Sequence, residues 1–232
     1  VSVGDAEEAL LAMKNPYDTI ALQAAGIGYR ADYAYHNGKY YVYFGIVPVL
    51  LLYLPYYLLT GGALQNYVAV FVFFAGFIIA AAGFVYELMK RYFKEQPFYL
   101  WAVGTGMLVG SYSMFYLLIR PDLYHVPIVA SAMFATGGLW LYLAGLNRPK
   151  KAVGLYAFGS FCMALTAGCR PQFILFAALA VVLFWERVFV KRELFSKKGW
   201  RQTAALVVPY VLIAAGLMAY NALRFGSPFD FG

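Results

Sequence analysis

The sequence predicts an all-α polytopic membrane protein: about six transmembrane helices, a re-entrant or interfacial helix, and a small extracytoplasmic loop region with a β-hairpin. Three observations predict it. Apolar residues make up 63% of the 232 and charged residues only 12%, with a mean hydropathy of +0.66, whereas a soluble domain carries about a quarter charged residues. The charges gather in short clusters between long apolar runs, the pattern of membrane proteins. Near the N-terminus an Asn37-Gly38 pair stands between aromatic and β-branched residues, a strong hairpin signal.

Residues 1–45 form the loop region. DAEEALLAMK has helical spacing, with Leu10, Leu11 and Met13 on one face and Glu7 and Glu8 on another. Asn15-Pro16 disfavours its continuation. A second short helix is expected over 19–25. A two-residue turn at Asn37-Gly38 pairs His36 with Lys39, Ala34 with Tyr41 and Asp32 with Tyr43. Because strand side chains alternate, these six share one face, and Tyr33, Tyr35, Tyr40 and Val42 take the other. An open-edged hairpin is not tolerated in hydrocarbon, so this region lies outside it.

Residues 46–60, IVPVLLLYLPYYLLT, are apolar but short of the roughly 20 that a span needs. They read as interfacial or re-entrant, a tilted span being the less favoured reading. Clear spans follow at 66–89, 98–119, 126–146, 152–169, 172–190 and 203–222, within a bundle taken as 61–222. Residues 223–232 begin another extracytoplasmic loop. The chain opens on Val1 and stops at Gly232 in loop-like sequence, as expected of an internal fragment of a longer protein. Cys162 and Cys169 lie about 10 Å apart along one helix, too far for a disulfide.

Parity sets the sides. If 66–89 spans, the segments KRYFKEQ, NRPKK and ERVFVKRELFSKKGWRQ face one compartment and hold twelve of the eighteen basic residues. That side is expected to be cytoplasmic. The +7 net charge is thereby explained by topology, and nucleic acid is not expected as a partner.

The opposite side holds IRPDLYH (Arg120, Asp122, His125), CRPQ (Arg170, Gln172) and RFGSPFDFG (Arg224, Asp230). With Lys39 this gives four basic groups facing one compartment. An arginine fork matches a phosphate with paired hydrogen bonds. Arg120 and Arg170 are equally readable as snorkelling or helix-capping side chains, and Arg224 favours a structural role. A lone His125 at a helix start favours a packing role, and the His content gives a metal site little support. Nucleotide-loop, serine-elbow, zinc-protease and CxxC motifs are all missing. Acids near the middle of the spans, which coupled transporters use, are nearly missing too.

The strings YHNGKYYVYFGIVPVLLLYLPYYLLTG, RPDLYHVPI, GCRPQF and YNALRFGSPFDFG together resemble bacterial membrane glycosyltransferases of the GT-C superfamily, relatives of the protein O-mannosyltransferases. GKYYVYFG and RFGSPFDFG are the specific part. The resemblance implies a multi-pass protein of the bacterial inner membrane, its site on the extracytoplasmic face. It further implies inverting transfer of a sugar from a polyprenyl-phosphate donor to a glycan, lipid or protein acceptor. A carboxylate takes the proton of the acceptor hydroxyl as that oxygen attacks the anomeric carbon. The lipid phosphate departs, and its growing charge calls for fixed cationic donors. Lys39, Arg120 and Arg170 are the expected donor-phosphate ligands. Tyr41, Asp122, His125, Gln172 and Arg224 are the expected substrate contacts. The family's base follows the first transmembrane helix, expected upstream of Val1; Asp32 and Asp5 are the nearest acids by location. No cofactor is assigned, and a divalent metal is left open. The alternative reading is non-enzymatic: a lipid-linked-sugar transporter or an envelope assembly scaffold.

Overall fold

A computed structural model describes residues 3–28, 33–42, 45–111, 114–196 and 199–230. The chain divides into two units, one of 1–43 with 215–232, the other of 44–214.

In the smaller unit, helix α1 (Val3–Ala12) precedes helix α2 (Thr19–Ala24). The Asp18 carboxylate starts α2 by accepting hydrogen bonds from the Ile20 and Ala21 amides, supplying acceptors that the first helical turn lacks. Strands β1 (Ala34–His36) and β2 (Lys39–Tyr41) pair in the expected register, with Ala34 opposite Tyr41 and His36 opposite Lys39. Asn37 and Gly38 both have positive φ, 46° and 77°, as the tight hairpin turn requires. The expected Asp32–Tyr43 pairing lies outside the described residues.

The larger unit opens with helix α3 (Ile46–Thr60), whose middle, Val49–Tyr53, is π-helical. At about 1.5 Å per residue it reaches roughly 22 Å, short of a hydrocarbon core of about 30 Å. Leu58 and Leu59 near its end are among its most exposed side chains. Among the described residues, α4 (Asn66–Tyr92), α7 (His125–Asn147), α8 (Pro149–Cys169), α9 (Pro171–Val190) and α10 (Trp200–Phe225) are five helices long and apolar enough to cross a membrane. The last turns of α10, from Ala215, belong to the smaller unit. The expected span at 98–119 is described as two helices, α5 (Tyr99–Ser111) and α6 (Met114–Ile119). Residues 172–190 are not uniform either. A 3₁₀ stretch, Pro171–Ala177, leads into α-helix and then into a π turn at Glu186–Val190.

The core sits between α4, α7 and α8. Lipid offers little hydrophobic drive for helix association, so close packing of small residues must supply it. Gly138 of α7 and Gly159 of α8 meet backbone to backbone. A Cβ on Gly138 would stand 2.9 Å from the Gly159 carbonyl oxygen, and one on Gly159 would stand 3.1 Å from that of Gly138. Tyr142 packs over Gly159, and Tyr156 packs over Gly145. The Tyr142 hydroxyl shares hydrogen bonds with Ser160 Oγ (2.9 Å) and the Tyr210 hydroxyl (3.1 Å). These polar atoms are thus matched inside the bundle, as they must be where water is missing. Cys162 and Cys169 are buried free thiols, as their spacing predicts.

Candidate phosphate-facing end of the bundle

The expected site residues fall into two groups. Lys39, Tyr41 and Arg224 belong to the smaller unit. Arg120, Asp122, His125, Arg170 and Gln172 belong to the larger one. Asp32 lies outside the described residues, and the side chain of Asp5 does too.

The larger group forms at one end of α7 and α8. After α6 the chain turns tightly. The Arg120 amide donates to the Tyr116 carbonyl (3.2 Å), the Asp122 amide to the Arg120 carbonyl (2.9 Å) and the His125 amide to the Asp122 carbonyl (3.0 Å). His125 Nδ1 lies against the Arg120 carbonyl, where the Nδ1–H tautomer donates, and the ring meets Tyr116 edge-on. One nitrogen of His125 therefore fastens the turn, while the Arg120 and Asp122 side chains stay exposed.

Arg170 follows α8 and reaches this turn from the next hairpin. Its amide closes α8 on the Thr166 carbonyl (2.9 Å), and its Nη2 points at the Tyr124 carbonyl (3.4 Å). Arg170 is half-buried and Gln172 beside it is exposed. The same end receives the start of α3. The Gly45 amide donates to the Cys169 carbonyl (3.0 Å). Gly45 has φ 79°, and a Cβ there would stand 3.0 Å from Pro127 Cγ. Segments some 45, 120 and 170 residues along the chain thus converge on one bundle end carrying two arginines.

The smaller group is organised differently. Lys39 pairs with Glu7 at 3.3 Å. The Arg224 guanidinium donates to the Val42 carbonyl (2.8 Å) and lies over the rings of Tyr41, Tyr220 and Phe225, at 5.0, 4.8 and 4.6 Å. Phe225 also meets His36 and Tyr41 edge-on, so the predicted His36–Tyr41 face of the hairpin is the one that α10 covers. Arg224 and Tyr41, both expected substrate contacts, thus join the hairpin to the last turn of α10. Among the described residues no cluster of three His, Cys, Asp or Glu side chains is arranged to hold a metal ion.

The opposite end of the bundle holds polar networks that sequence reasoning missed. Glu87, 2% exposed, accepts from Arg148 Nη2 (2.5 Å) and Asn147 Nδ2 (2.8 Å). Arg187 donates to Glu193 (2.8 Å), the Tyr156 hydroxyl (2.9 Å) and Gln202 (2.7 Å). Just past α9, Lys191 bonds Glu186 at 2.8 Å, and that hydrogen bond and charge raise the lysine pKa above its usual value. A single acid ending an otherwise apolar run was the available signal for Glu87, since a buried carboxylate needs a partner.

No protein-family model matches the chain, and comparison with curated proteins and with solved structures gave no match.

Proposed function

We propose that the chain acts in a membrane glycosyltransferase that moves a sugar from a polyprenyl-phosphate donor to an acceptor at the extracytoplasmic face of a bacterial inner membrane. The observation that supports this reading is the bundle end where the half-buried Arg170 meets the Arg120–His125 turn beside the start of α3. Two arginines at the end of apolar helices suit a phosphate held at headgroup depth. Arg170 carries the donor phosphate, and Arg120, exposed on the adjoining turn, adds a second positive charge. As the bond from the anomeric carbon to the phosphate oxygen breaks, negative charge grows on that oxygen, and fixed guanidinium donors favour it. Asp122 and Gln172, both exposed at this end, are the polar groups that would meet the sugar. The resemblance carried by GKYYVYFG and RFGSPFDFG supports the same class.

The test is native mass spectrometry of the chain in nanodiscs supplied with a polyprenyl-phosphate sugar. Retention is expected, and Arg170→Ala should weaken it about 10- to 100-fold, the worth of one charge-assisted hydrogen bond, with helix content unchanged. Equal retention by both proteins, or none by a folded protein, would overturn the reading.

A further inference from the structure

We propose that the Arg91 end of the bundle binds the phosphate headgroup of an anionic phospholipid. The proposal stands apart from the transferase reading and involves the other end of the same helices. A cavity of about 470 Å³ opens there, lined by Lys90, Arg91 and Lys94 from the end of α4 and by Leu146, Asn147 and Pro149 from the end of α7. Among the described residues three cations line it and no acid does. Of the acids at this end, Glu87 is matched with Arg148, Glu186 with Lys191 and Glu193 with Arg187, and Glu95, which follows Lys94, is exposed and outside the lining.

Arg91 is short of acceptors. Its Nη1 has only long hydrogen bonds, 3.4 Å each, to the Leu146 carbonyl and Asn147 Oδ1. Its Nε is buried with no hydrogen-bond partner among the described residues. A phosphate oxygen in the cavity would give the weakly bonded Nη1 a closer, charged acceptor. The guanidinium also lies over the Tyr92 ring at 5.6 Å, which holds its plane in place.

A second cavity points to an amphiphile rather than a free ion. It is smaller, about 150 Å³, shares Lys90 and Lys94 with the first, and is walled by Tyr86, Phe93, Phe98 and Trp101. Trp101 is anchored to α4 through its Nε1–H on the Ala82 carbonyl (2.8 Å). A basic chamber and an aromatic one thus meet across the same two lysines at the end of a membrane-length helix. A lipid phosphate lies at this depth, with its glycerol and upper acyl chain beside it. Basic pockets between spans hold anionic headgroups on this principle.

The experiment is lipid-exchange native mass spectrometry of the full chain, offering phosphatidylglycerol and phosphatidylcholine with identical acyl chains, with inorganic phosphate as competitor. Lys90 and Lys94 are exposed, so the K90Q/K94Q double variant removes charge without disturbing the bundle. A K14Q/R201Q variant removes the same charge elsewhere. Phosphatidylglycerol should be retained in preference. Affinity should fall about five-fold per lysine, roughly thirty-fold for the pair, and stay unchanged in K14Q/R201Q. Millimolar phosphate should not displace it. Equal retention of the two lipids, equal losses in both double variants, or displacement by inorganic phosphate would each overturn the proposal, the last by assigning the site to a free anion.

Discussion

Replacing Arg148 with Ala isolates the cost of the buried carboxylate on α4. Glu87 is 2% exposed and meets Arg148 Nη2 at 2.5 Å, while the Arg148 side chain is 38% exposed. Two unit charges about 4 Å apart attract by roughly 4 kcal/mol at an effective dielectric of about 20, and by about 1 kcal/mol in water. With one partner buried and the other open to solvent, an intermediate value of about 2 kcal/mol applies. That is below the 3–5 kcal/mol or so for breaking a fully buried pair, because Asn147 still donates to Glu87 Oε2 at 2.8 Å and to its carbonyl at 3.0 Å. Glu87→Gln should cost less, since the amide oxygen keeps the Asn147 bond. In the Glu87→Gln background Arg148→Ala should then cost under about 0.5 kcal/mol, as expected for an exposed arginine with no charge to match. Reversible unfolding of all four proteins in mixed micelles, followed by tryptophan fluorescence, measures the cycle. If Arg148→Ala costs the same in the wild-type and Glu87→Gln backgrounds, the coupling is near zero and the argument is refuted.

Two further outcomes follow from backbone and ring geometry. Gly45→Ala should destabilise the larger unit by about 1–2 kcal/mol, the usual left-handed cost plus the close approach to Pro127, measured by the same unfolding assay. Arg224→Leu should raise amide exchange across β1 and β2 at least about ten-fold, since it removes the Val42 hydrogen bond and the contacts to three rings; unchanged protection in the hairpin would show that the clamp is not needed.

Local chemistry made the hairpin and the short helices legible. Asn37-Gly38 accepts positive φ at both central positions, which fixes the register without reference to anything distant. Asp18, which caps the second helix, is a start signal that the expectation over 19–25 did not use. Length and hydropathy made the spans legible, because lipid demands internally bonded apolar helices. The partners of the charged side chains were not legible. Arg148 and Glu87 are 61 residues apart, and Arg224 reaches a carbonyl 182 residues earlier. A lone arginine near a helix end reads equally as a phosphate ligand, a snorkelling side chain or a clamp. Arg170 and Arg224, both near helix ends, differ in what they meet: one leans on a turn carbonyl and the other lies over three rings.

The Gly138–Gly159 crossing also has a mechanical consequence. Where two main chains touch with no side chain between them, no rotamer change can loosen the joint, and the approach of α7 to α8 is limited by main-chain contact itself. In α9 and in α10 alike only 6% of the apolar window is buried, so little packing holds either. The α7–α8 pair is therefore the stationary keel of the bundle, and α9 and α10 are the parts that a changing bilayer thickness would displace first.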